Sequence, residues 1–306
     1  MRGWWQRLTG DLTDLVLPAE CGGCGRPRAV LCPECRAALH GRAPSRVRPM
    51  PAPAGLPVVH AAAPYGGAVR ALILAHKERG VLALARPLGT ALAGAVRAGL
   101  DGDRAGLDGD RAGLDGDRAG LDSARVPVLL VPVPSARRSV RARGHDPARR
   151  IALAAAGELR RAGTAARVAA VLRQRRAVAD QSGLGSRERL ANLAGALEVA
   201  RGGAGLLAGG RVVLVDDLMT TGASLAEAAR AVREALDVTE APERQRTQVY
   251  SRGAGEAKGP WNATRSTELD RGFRAPYGMT AGHSVGDGIR AAVIAASRDS
   301  FEIIRN

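Results

Sequence analysis

Aromatic residues are nearly missing from this 306-residue chain, at 3% of the composition. An apolar core must therefore be built from Ala, Val and Leu. Lysine is almost as scarce: it occurs only at Lys77 and Lys258, so nearly all positive charge is arginine. The formal net charge of +15 suits phosphate-bearing ligands or nucleic acid. A solvated surface shaped by biased codon usage would carry the same charge. No apolar run reaches the roughly eighteen residues that a membrane-crossing helix needs. The opening Met1-Arg2-Gly3-Trp4-Trp5, followed closely by Asp11 and Asp14, lacks the apolar centre of a secretory signal. A cytoplasmic location and no membrane span are expected. The length permits one large domain or two modest ones.

What the chain does have is a specific strand–turn–helix, Val212-Val-Leu-Val-Asp-Asp-Leu-Met-Thr-Thr-Gly-Ala-Ser224. Val212 to Val215 predict a short buried strand of a parallel sheet. Asp216 and Asp217 follow where that strand is expected to end. Thr220, Thr221, Gly222, Ala223 and Ser224 form a small-residue turn. Leu225, Ala228, Ala229, Val232 and Leu236 then recur with a helical period. Unpaired N–H groups and the helix dipole favour a phosphate at such a turn. Gly222 lets backbone approach the anion, and the hydroxyls add donors without bulk. The two acids repel phosphate and are suited to accept hydrogen bonds from sugar hydroxyls. A ligand with a ribose and a 5′-phosphate satisfies both halves.

All four cysteines fall in one short stretch, as Cys21-Gly-Gly-Cys24 and Cys32-Pro-Glu-Cys35. Two such knuckles can aim four thiolates at one tetrahedral Zn²⁺. Two disulfides or a redox pair are the alternatives; the first suits a reducing compartment poorly, and the second needs one pair in a thioredoxin-like unit. A four-thiolate site leaves no open position, so its role would be structural, and metal binding would largely fold so small a ribbon. Trp4, Trp5, Leu8, Leu12, Leu15 and Leu17 precede it at near-helical spacing and are expected to pack the ribbon onto the main domain.

Residues 41–57, rich in Pro and Arg, are expected to form a linker. A helix is expected after Tyr65-Gly66-Gly67, with Val69, Leu72, Ile73 and His76 on one face and Lys77 at its end. A second is expected over Val81 to Val96. The heptad Gly-Leu-Asp-Gly-Asp-Arg-Ala then repeats at 99–105, 106–112 and 113–119, with a fragment at 120–122. Two glycines in each heptad argue against a stable helix, so a flexible insert is expected. Val126 to Pro134 predict a strand, feeding a loop with Arg137, Arg138, Arg141, Arg143 and His145. Arginine forks match phosphate oxygens bidentately, although a solvated basic turn has the same composition. A helix should run through Ile151 to Arg161. The polar stretch from Leu172 to Asn192 suits a mobile cover over an anionic ligand or an exposed helix equally. Residues 238–288 have no clean period and predict a disordered or loosely folded insert. Ala291 to Ala296 predict a buried strand.

Taken in this order, the pieces resemble the competence-associated ComF family of phosphoribosyltransferase-like proteins with an N-terminal zinc ribbon. The resemblance covers about 18–97, 124–236 and 289–306. It rests on the cysteine knuckles, Tyr65 to Lys77, Val131-Pro-Val-Pro134 with Arg143-Gly144, Leu172-Arg173 to Gln181 with Arg189 and Asn192, and the Asp216-Asp217 turn. Phe301-Glu302 with Arg305-Asn306 completes it. The resemblance implies an α/β fold, the Rossmann-like parallel sheet of type I phosphoribosyltransferases with a hood, beside a small ribbon. Domains would be 1–40 (helix and ribbon), 41–57 (linker) and 58–306 (phosphoribosyltransferase-like), with inserts at 98–122 and 238–288.

The ligand implied is 5-phosphoribosyl-1-pyrophosphate (PRPP), accompanied by Mg²⁺. Asp216 and Asp217 would meet the ribose hydroxyls, Thr220 to Ser224 would hold the 5′-phosphate, and Arg137, Arg138, Arg141 and Arg143 would face pyrophosphate. The 172–192 segment would match the hood. His145 is a candidate base. The activity implied is phosphoribosyl transfer to a nitrogen acceptor. A second expectation is a binding module for DNA uptake that contacts single-stranded DNA, a helicase or other competence proteins. This chain has Arg143-Gly144-His145-Asp146-Pro147 where the family often has Arg-Gly-Phe-Asn-Gln.

Overall fold

Runs of Val, Leu, Ile and Ala too short for helices and bounded by Pro, Gly or charge set the sheet. In the computed structural model these become β2 (Val58–Pro64), β3 (Val128–Pro132), β7 (Arg211–Met219) and β8 (Arg290–Ala296), joined by the short β1 (Ser45–Val47) and β4 (Ala166–Val168). The structure describes residues 20–110, 126–135, 137–176, 192–253 and 288–301. The spatial order is β1-β2-β8-β7-β3-β4. All neighbours are parallel except β1, which runs antiparallel to β2 with Arg46 opposite His60. β5 (Leu172–Gln174) and β6 (Leu197–Val199) form a separate antiparallel pair. The chain is thus α/β with a mostly parallel six-stranded sheet.

Helices cover both faces, which is why the central strands carry apolar residues on each side. On one face lie α1 (Pro33–His40), α2 (Gly67–Lys77), α3 (Ala85–Asp110) and α5 (Pro147–Arg161). They pack over Val213, Val215, Ala292 and Ile294. On the other face α7 (Ala223–Gly253) and the short α6 (Gly203–Leu207) cover Val212, Leu214, Ala291 and Val293. In α2, the expected stripe of Val69, Leu72, Ile73 and His76 is buried. Each fully buried aliphatic side chain contributes about 1.5–3 kcal/mol.

Four expectations are corrected. The presumed linker contains β1, and Val47 joins the core on the α7 side. Pairing with β2 supplies the hydrogen bonds that the proline-rich composition obscures. The heptad insert is not wholly irregular, since α3 continues through its first copy to Asp110. Extending an existing helix needs no new nucleus, and Leu100 is buried. The 238–288 block likewise starts as helix, because α7 continues to Gly253. The arginine segment is not a loop: Arg137–Arg143 form α4. The helix expected near the first tryptophans, the rest of the heptad insert from 111 on, and residues 177–191, 254–287 and 302–306 lie outside the described residues. Among the described residues, no helix is long and apolar enough to cross a membrane.

Candidate functional site

The sheet order places a crevice by topology alone. From β3 the chain leaves to β4 on one side, and from β7 it leaves to β8 on the other. Where neighbouring parallel strands depart in opposite directions, their carboxyl ends open a gap suited to ligands. The β7 end carries the acid pair and the turn, and the β3 end feeds α4 with its arginines.

β7 is longer than expected. Its pairing with β8 runs past Val215 to Met219, so Asp216 and Asp217 lie within the strand. Successive strand residues face opposite sides, and the two carboxyls diverge accordingly. Asp217 points to the α2 side, where Lys77 Nζ donates to its Oδ2 at 2.8 Å. Its side chain is only 6% exposed. Asp216 shares the opposite side with Leu214, is half-buried, and accepts the Asp217 N–H on Oδ1 at 2.8 Å. Burial, then the neighbouring Asp217 charge, pushes the Asp216 carboxyl up to about 8. Lys77 is the counterweight: burial lowers its pKa, but Asp217 and Asp216 outweigh burial and raise it.

The turn bends as expected. Gly222 has φ +76°, a left-handed conformation that glycine adopts without strain. Thr220 is exposed, Thr221 and Ser224 are half-buried, and Gly222 and Ala223 are buried. Ala223 opens α7, and its N–H lies 3.5 Å from Thr221 Oγ1. One flank of the bend is covered, because a Cβ on Gly222 would stand 3.1 Å from Leu56 and 3.3 Å from Pro49.

Of the arginines, Arg143 reaches the end of α2, beside Lys77. Its Nε and an Nη grip Glu78 at 3.0 and 2.8 Å. Arg138 and Arg141 are exposed, and Arg137 is the first residue of α4. His145 stands against His76 with ring centroids 5.7 Å apart. Its Nδ1 lies 3.1 Å from the Arg143 carbonyl, and its Nε2 is buried without a protein partner. Asp146 and Pro147 have a structural role that their departure from the expected pattern concealed. Asp146 caps α5 by accepting the Arg149 N–H, and Pro147 occupies the first turn.

Composition and spacing did not single out Glu78, and gave Lys77 only as a helix end. Their partners lie 65 and 140 residues away in sequence. One signal was present: Lys77 is one of two lysines in a chain that otherwise uses arginine.

The cysteines form a second centre. The four Sγ atoms of Cys21, Cys24, Cys32 and Cys35 all lie within 4.8 Å of one another, and all four thiols are free. A tetrahedral zinc with sulfur at about 2.3 Å requires sulfurs about 3.8 Å apart, so the quartet fits a metal ion such as zinc. Gly23 is required by close approach, since a Cβ there would fall 2.6 Å from Cys35 Sγ. Burial raises the Cys21 thiol, but backbone N–H groups of Cys32, Cys24 and Gly23 prevail and hold it at about 6. Burial pushes the Cys35 thiol up. The ribbon has no core of its own: Cys21, Leu31, Cys32, Cys35 and Leu39 share the α2-side core. Arg79 also donates to the Gly22 carbonyl at 3.0 Å.

Glu227 ties the small β5–β6 hairpin to α7. It accepts the Leu197 N–H at 3.0 Å and pairs with Arg230, which donates to the Leu197 carbonyl. Arg173 of the same hairpin pairs with Glu198. Of the 172–192 segment expected to match a hood, residues 177–191, with Gln181 and Arg189, lie outside the described residues. No protein-family model matches the chain, and no curated protein matches it.

Proposed function

We propose that this chain is a PRPP-binding, phosphoribosyltransferase-like protein of the ComF type, carrying a structural zinc ribbon. The single observation that carries the reading is the crevice at the β3–β7 switch. The β7 end brings the acid doublet and the glycine bend there, with Asp217 held by Lys77, and the β3 end feeds α4, whose Arg143 pairs with Glu78 beside Lys77. That arrangement suits a ligand with a ribose at its centre and phosphates at both ends.

In this reading Asp216 and Asp217 accept hydrogen bonds from the ribose hydroxyls. Lys77 holds one oxygen of Asp217, leaving the other for the sugar. The bend from Thr220 to Ser224 takes the 5′-phosphate. Arg137, Arg138, Arg141 and Arg143 face the pyrophosphate, joined by the Mg²⁺ that accompanies the ligand. In the reaction the bond from sugar C1 to pyrophosphate breaks as a bond from C1 to a nitrogen acceptor forms. The nitrogen's proton leaves to solvent, and pyrophosphate departs with the bonding electron pair. The chain's contribution is positioning and charge stabilisation of the leaving group.

Two measurements test this. PRPP with Mg²⁺ should bind in calorimetry, and Asp216→Ala with Asp217→Ala should abolish binding; unchanged affinity sinks the site assignment. A screen of free bases should then release pyrophosphate. Binding without release for any base, together with salt-dependent single-stranded DNA binding, would instead favour a non-catalytic module.

A further inference from the structure

Three consecutive residues at the end of α2 reach across the crevice. His76 meets His145, Lys77 meets Asp217, and Glu78 meets Arg143. Neighbours in a helix point in different directions, so Lys77 engages the β7 wall while Glu78 engages the α4 wall. The two ion pairs belong to one cluster, because Lys77 feels both aspartates and Arg143. Two cations, Lys77 and Arg143, are therefore held by carboxylates of the protein itself.

The Arg143–Glu78 contact has a particular form. Nε meets Oε2 at 3.0 Å and an Nη meets Oε1 at 2.8 Å. This is the two-point fork with which a guanidinium grips paired oxygens, whether of a carboxylate or of a phosphate. The Glu78 side chain is 47% exposed, whereas that of Arg143 is 20% exposed. The carboxylate is thus the outer partner, open to replacement from solvent. The contact is also weak, since pairs this accessible shift an equilibrium by no more than roughly fivefold.

We propose that Glu78 is an internal stand-in for a diphosphate: it occupies the Arg143 fork, and the ligand binds by displacing it. The proposal rests on the anion-site reading above and adds the competitor within that site. Glu78 keeps Arg143 oriented, and it disfavours anions too weak to displace a carboxylate. A diphosphate has the charge to do so; inorganic phosphate competes poorly.

The test measures the affinity of the full chain for inorganic pyrophosphate with Mg²⁺. Wild type, Glu78→Gln and Arg143→Lys are compared by calorimetry, with thermal midpoints recorded for each. Glu78→Gln removes the competing charge and should bind roughly two- to fivefold tighter. It should also narrow the preference for pyrophosphate over inorganic phosphate. Arg143→Lys keeps the charge but loses the fork, and should bind weaker than wild type. If Glu78→Gln binds equally or more weakly while wild type binds, the stand-in role is refuted and the anion site survives. If neither wild type nor Glu78→Gln binds pyrophosphate, the anion site and the proposal fall together.

Discussion

Lys77→Met should destabilise the protein by about 3 kcal/mol. The Asp217 side chain is 6% exposed and that of Lys77 is 31% exposed, with 2.8 Å between the charges. Removing one partner of a buried pair costs about 3–5 kcal/mol, because a charge is left without compensation. Water reaches Lys77 in part, which places the cost at the lower end. Methionine preserves the apolar stem, so little packing is lost. In a chain of this size the thermal midpoint should fall by roughly 6–12 °C. The decisive assay is a double-mutant cycle by urea denaturation at neutral pH and fixed zinc. Lys77→Met with Asp217→Leu should recover most of the loss, since replacing both partners of a buried pair by apolar groups of similar size is nearly harmless. The cycle should give a coupling of about 2–3 kcal/mol. Additive costs, or a loss below about 1 kcal/mol for Lys77→Met, would show a screened surface pair and refute the reasoning.

Asp216→Asn should flatten the dependence of stability on pH. The folded-state value of about 8 stands above the ordinary 3.8. Between these values the folded chain holds a proton that the unfolded chain has released, so stability falls as pH rises. After allowance for partial exposure, wild type should lose ~2 kcal/mol more than the variant between pH 5 and 9; parallel curves in a denaturation series would contradict this. Gly222→Ala should cost about 2 kcal/mol, from the left-handed backbone and the crowding by Leu56 and Pro49. Adding Leu56→Ala should relieve only the crowding, and full recovery in thermal melts would show that the backbone carries no strain. Purified protein should hold one zinc per chain by elemental analysis. Gly23→Ala should weaken its retention against a chelator at least roughly tenfold, and unchanged retention would argue against a tight sulfur cage.

The parts readable in the sequence were those encoded locally. The Val212–Val215 run, the glycine bend and the helical period after it specify β7, the turn and the start of α7 within one short stretch. The cysteine knuckles are equally local, and so is the α2 stripe. What escaped depends on distance or continuity. Pairing lengthens β7 through both aspartates, and no local pattern marks that end. β1 hides among prolines because its partner is β2. The helical extensions into the heptads and past Val238 come from propagation of a helix already formed, which outweighs locally poor propensities. The Lys77 and Glu78 contacts exist only once the sheet order brings distant segments to one crevice.

The end of α2 has a second neighbour. Gly23 approaches Leu72, Gly22 abuts Ala75 and Leu84, and Arg79 holds the Gly22 carbonyl. The sulfur cage therefore leans on the same two turns whose other side presents Lys77 and Glu78. Preparations that differ only in metal loading should differ in anion affinity as well, and an assay run in strong chelator would be reading a displaced set of charges.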